Sequence, residues 1–176
     1  MGIPRIKTLI LAFLCFAASG NAWGQTLQID RLKAQYLVAF MDFARWDEEA
    51  KSERATIGVL ANKDFAHQLS KITQEKTEGR FLEVLQLEDG ETERLDRIDI
   101  LFVGAGFEKQ WTKIKDHCKR YDILLVGERS RFLDDGGAIQ FTLRKNRLRF
   151  AAVPENALRQ GIELSSTLLE LAVERQ

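Results

Sequence analysis

The chain has 176 residues, 45% of them hydrophobic, with 26 Lys+Arg balanced by 26 Asp+Glu, two histidines and two cysteines. This length and apolar content suit one packed domain, and the balanced charge offers no broad basic surface for nucleic acid. Two histidines and two cysteines without paired ligand spacing argue against a zinc enzyme or a thiol hydrolase.

At the start of the chain, Arg5 and Lys7 precede an apolar run from Leu9 to Ala18, and small residues follow at Ala22 and Gly24. That is the layout of a secretory signal peptide over residues 1–24, cleaved near Gly24-Gln25, with a single domain over residues 25–176. The run is short for a bilayer span and no second apolar segment of comparable length follows, so the expectation is a soluble exported protein with no membrane insertion after cleavage. Cys15 lacks the small residues that precede a lipidated cysteine. Cleavage removes two positive charges, leaving 24 against 26 and a net −2. Cys118 then stands alone, which excludes an internal disulfide, and a buried, inert thiol is favoured over one that pairs between chains.

Ile29, Leu32, Tyr36, Leu37, Phe40, Phe43 and Ala44 recur at helical spacing and predict a first helix ending near Trp46. Thr56–Leu60 is a short apolar run suited to a buried strand, and Asn62-Lys63-Asp64 turns into a helix carrying Phe65, Leu69 and Ile72. Phe81, Val84, Leu85 and Leu87 mark a second strand, followed by a loop or helical turn over Glu91–Asp96. Ile98–Val103 is a third strand, Gly104-Ala105-Gly106 leads to a helix bearing Phe107, Trp111, Ile114 and Cys118, and Tyr121–Gly127 is a fourth. Strands alternating with helices predict an α/β fold with a mixed, mostly parallel sheet and helices on its faces.

Asp134-Asp135-Gly136-Gly137 turns the chain into a closing hairpin. Ile139, Phe141, Leu143, Leu148 and Phe150 alternate with polar residues around Lys145-Asn146, and a two-residue turn there pairs Leu143 with Leu148 and Phe141 with Phe150. The same register sets Arg144, Arg147 and Arg149 on the opposite side, a basic face that serves either as a solvated surface or as a partner site. From Pro154 to Ala172 a wide apolar stripe predicts one helix, with Gly161 in its middle where another backbone comes close.

Other candidate chemistry has a plainer reading. Gly104-Ala105-Gly106 resembles the start of a dinucleotide loop, but Lys109 stands where that fingerprint needs a third glycine, so a strand-to-helix turn is the reading, with no cofactor. Neither GxxxxGK[ST] nor GxSxG occurs. His67 and His117 lie 50 positions apart, which does not suggest a shared metal site. Trp46 and Trp111 fit packing better than a ligand pocket.

The block Lys33-Ala34-Gln35-Tyr36-Leu37 through Phe40 and Phe43 to Trp46, the strand Ile57–Leu60, and the closing set Phe132, Gly136-Gly137, Phe141, Leu148-Arg149-Phe150, Gly161-Ile162 and Leu164–Ala172 resemble the YfiR family of exported bacterial regulators. Asp47 and Val153 depart from that family's usual proline and asparagine. The resemblance implies a non-enzymatic periplasmic protein, often a homodimer, that contacts the periplasmic part of an inner-membrane diguanylate cyclase and represses cyclic di-GMP production and biofilm formation. Another class of reading is a small-ligand sensor that signals to a histidine kinase or other membrane receptor. With Cys118 as the one mature cysteine, the disulfide-linked redox control of well-known relatives is not implied. The basic face of Arg144, Arg147 and Arg149 is the candidate partner surface.

Overall fold

The computed structural model describes residues 26–46, 54–76, 81–88, 91, 94–107 and 111–173. The leader and Asp47 lie outside the described residues. In chain order the elements are α1 (26–43), β1 (Ala44–Arg45), β2 (Arg54–Leu60), α2 (Lys63–Lys76), β3 (Phe81–Gln86), a 3-10 turn (Leu95–Arg97) and β4 (Ile100–Val103). They continue with α3 (Trp111–Arg120), β5 (Leu124–Gly127), β6 (Ile139–Arg144), β7 (Arg147–Ala152), α4 (Pro154–Leu158), β8 (Glu163–Leu164) and α5 (Ser166–Leu171).

Six strands form one sheet in the order β3-β2-β4-β5-β6-β7, with every pair parallel except β6 and β7. This is the mixed, mostly parallel sheet with a closing hairpin that the sequence predicts. Strand alternation divides the core cleanly. Ile57, Val59, Ile100, Phe102, Leu124 and Val126 face α1 and α2, while Leu60, Leu101, Val103 and Leu125 face α3. Residues of β4 and β5 are buried on both faces, which is why these strands read as unbroken apolar runs.

The hairpin register is the predicted one, with Phe141 opposite Phe150, Leu143 opposite Leu148, Thr142 opposite Arg149 and Arg144 opposite Arg147. Lys145 and Asn146 have φ of 47° and 63°, so the turn is of the primed type that matches strand twist without the usual glycine. The apolar face is shorter than expected: Leu143 is 57% exposed, because the tip of the hairpin reaches past the helices that cover Phe141 and Phe150. In α1, Leu32 is likewise exposed, whereas Leu37 and Phe40 are buried.

The largest correction falls on the expected helix from Pro154 to Ala172. It is broken into α4, a turn, β8 and α5. Gly161 has φ of 76°, which ends α4 in the left-handed region instead of sitting inside a helix. Asp122 takes the neighbouring space: a Cβ at Gly161 would collide with its Oδ1. Next, β8 pairs antiparallel with β1, Ala44 with Leu164 and Arg45 with Glu163, so the first helix also ends earlier than Trp46. Ser165 then caps α5, its hydroxyl accepting from the Leu168 N–H at 3.3 Å.

Candidate functional site

The hairpin is fixed by an aromatic cluster on its inner side. Phe40 of α1 lies 5.9 Å from Phe141 and 5.2 Å from Phe150 between ring centroids, and Tyr36 lies 5.6 Å from Phe150. Rings at these separations add to the stabilisation from burial alone. Because side chains alternate across a strand, pinning the phenylalanines inward turns Thr142, Arg144, Arg147 and Arg149 to the other side. The structure therefore brings the three sequence-predicted arginines onto one face.

Arg147 and Arg149 are exposed and Arg144 is half-buried. Among the described residues no carboxylate lies at ion-pair distance from Arg147 or Arg149. Arg144 and Arg147 are directly opposite, a pairing of like charges that mildly destabilises a bare hairpin. Lys145 adds a further positive charge at the turn, and exposed Leu143 lies on the other side of the same tip.

The remaining candidates have structural roles. Trp111 donates from Nε1 to the Asp135 carbonyl at 3.2 Å and packs on Phe132, while Arg129 lies 4.8 Å over its ring. Asp135 pairs with Arg129 at 2.6 Å, and both aspartates belong to the turn before β6. Phe132 fills the space left by Gly127 and Gly137, where a Cβ would strike its ring. His117 Nδ1 is 2.9 Å from the Lys113 carbonyl oxygen, one helical turn back. Cys118 is completely buried, and burial pushes its thiol well above the ordinary range, leaving it an unreactive core residue.

At the carboxyl ends of the strands, where doubly wound sheets usually hold ligands, the backbone N–H groups of Gly104 and Ala105 are taken up by protein contacts. Gly104 N–H donates to the Leu60 carbonyl at 2.9 Å, and Ala105 N–H donates to Glu128 Oε1 at 3.1 Å. Glu128 also pairs with Lys33 of α1 at 2.5 Å, and Lys33 reaches Asp30 at 3.2 Å. Burial alone would lower the Lys33 pKa; the hydrogen bond and charge of Glu128, with Asp30, outweigh it and leave the pKa raised. The opposite end of the sheet carries a cleft of about 410 Å³, with Trp46, Arg54, Arg97, Asp99 and Tyr121 in its lining. Trp46 donates there to the Asp122 carbonyl at 2.9 Å, a role that its position after the first helix did not indicate.

The architecture is a doubly wound α/β domain closed by an antiparallel hairpin, with Arg144, Arg147 and Arg149 on one face of that hairpin. The chain belongs to the YfiR/HmsC-like family, whose profile matches residues 30–173. That family is regulatory and periplasmic, and it acts in cyclic di-GMP signalling. No curated protein matches the chain. A crystal structure of a conserved domain protein from Vibrio cholerae O1 biovar eltor str. N16961 is similar at 9% identity and a TM-score of 0.47, covering 67% of this chain and 53% of that one. The chain thus spans about half the length of that solved structure. Among the described residues no helix is long and apolar enough to cross a membrane.

Proposed function

We propose that this protein is a periplasmic repressor that binds the periplasmic part of an inner-membrane diguanylate cyclase, restrains cyclic di-GMP production and so limits biofilm formation. Family membership over residues 30–173 carries the reading. The basic face of the hairpin supports a way of acting: Arg144, Arg147 and Arg149 meet acidic groups on the cyclase, speeding encounter and making binding sensitive to salt. A homodimer belongs to the same reading, as does export by the leader over residues 1–24. Changing Arg147 and Arg149 to Glu abolishes cyclase capture in envelope crosslinking and raises cyclic di-GMP to the level of a deletion strain, with secretion and melting temperature unchanged. Full repression by the folded, exported double variant refutes this surface. Unchanged cyclic di-GMP and attachment in a clean deletion, under conditions where the protein is expressed, refutes the repressor role itself.

The cleft beside Trp46 and Tyr121 favours a second reading, a small-ligand sensor that signals to a histidine kinase or other membrane receptor. Equilibrium binding to the cyclase with and without periplasmic metabolites separates the two. A repressor binds the cyclase without added ligand.

A further inference from the structure

We infer that the concavity between α3 and α4 is a binding site for a small, doubly charged oxyanion. The site is separate from the hairpin face and does not depend on the repressor reading. It is an open depression of about 210 Å³, and its lining includes Lys115 and the exposed Lys119 of α3 and the exposed Arg159 just past α4, over a floor of Leu125, Asn156 and Gln160. Lys115 and Lys119 are one turn apart and so share a helix face. The stem of Lys115 runs beside Gly136, where an added Cβ would lie 3.3 Å from its Cδ.

The floor is built from amides whose hydrogen bonds are already made. Asn156 is 6% exposed and donates from Nδ2 to the carbonyls of Leu133 at 2.8 Å and Gly137 at 2.7 Å. Its Oδ1 accepts from Arg159 Nη1 at 2.7 Å, which anchors that guanidinium and leaves other N–H groups available. Gln160 is 4% exposed, accepts from Leu125 N–H at 3.0 Å and donates to the Gly136 carbonyl at 2.9 Å. Of the three cations, Arg159 is tied to this floor directly, through Asn156 Oδ1.

Charge supplies the remaining argument. Three cations and one carboxylate, Asp116, line the cavity, a net +2. Among the described residues no carboxylate lies at ion-pair distance from Lys115, Lys119 or Arg159. The helix dipole accounts for Lys119, in the last turn of α3, but not for Lys115 in mid-helix or for Arg159 on another element. Three like charges around one concavity repel one another, and an oxyanion of charge −2 relieves that repulsion while accepting charge-assisted hydrogen bonds. Inorganic phosphate and a short dicarboxylate share this chemistry and are small enough for the volume.

The test titrates the mature protein with inorganic phosphate and, separately, with succinate, at ionic strength held constant with chloride, following amide chemical shifts and calorimetric heats. Saturable binding of either anion is expected, with the largest shifts at Lys115, Lys119, Gly136 and Arg159, and the anion that binds distinguishes a phosphate site from a dicarboxylate site. Lys119→Gln weakens binding about tenfold, the loss of one charge-assisted contact. The double variant Lys115→Gln/Lys119→Gln abolishes binding without lowering the melting temperature, because it removes repulsion. No saturable binding of either anion up to about 10 mM, a free energy too weak for a built site, overturns the proposal. Equal binding by wild type and the double variant does so too, since the anion then sits elsewhere.

Discussion

Replacing Gly161 by alanine tests the feature that divides the C-terminal segment. With φ of 76°, this position costs a residue carrying Cβ about 1–2 kcal/mol. The new Cβ also meets the Asp122 carboxylate, lying 2.7 Å from Cγ. Asp122 cannot retreat through its backbone, since its carbonyl accepts from Trp46 Nε1 and its own φ is 51°. The carboxylate must therefore leave its rotamer, at about 0.5–1.5 kcal/mol. The two effects together amount to about 1.5–3.5 kcal/mol, or about 3–14 °C in melting temperature for a domain of this size. Thermal unfolding of Gly161→Ala measures the total, and the double variant Asp122→Gly/Gly161→Ala recovers the collision part relative to Asp122→Gly alone. Gly161→Ala with wild-type stability, or no coupling between the two sites, refutes the left-handed turn and the contact it makes.

The Lys33 ammonium has a raised pKa, so its contribution to stability is complete below its ordinary value of 10.5 and is lost as pH rises through the higher folded value. In urea unfolding, the stability gap between wild type and Lys33→Met stays constant through neutral and mildly alkaline pH and closes only above that value; a gap that closes near pH 8 contradicts the pairing. Maleimide leaves Cys118 unmodified in the native protein and labels it on unfolding, whereas rapid native labelling shows that the thiol is not in the core. Asn146→Val, which forces a β-branched residue to φ of 63°, lowers stability by about 1–2 kcal/mol in thermal unfolding. Asn146→Gly does not, and equal effects of the two contradict the primed turn.

Local pattern determined much of this protein. The period-two alternation from Ile139 to Phe150 settles both the hairpin and the side on which Arg144, Arg147 and Arg149 stand, because a one-residue slip would expose Phe141 and Phe150. The apolar runs of β4 and β5 need no partner to be recognised, since strands covered on both faces have no polar positions. Between Pro154 and Ala172 the local signal fails, because Ala157, Ile162, Leu164 and Leu168 suit one helical stripe as well as they suit the broken path. What decides is distant: Asp122 crowds Gly161, and Ala44-Arg45, far back in the chain, offer backbone hydrogen bonds to Glu163-Leu164. The cationic concavity is tertiary in the same way. Lys115 and Lys119 lie 40 or more positions before Arg159, and it is the fold, with Asn156 and Gln160 bonded to the turn before β6 and to β5, that brings all three to one concavity.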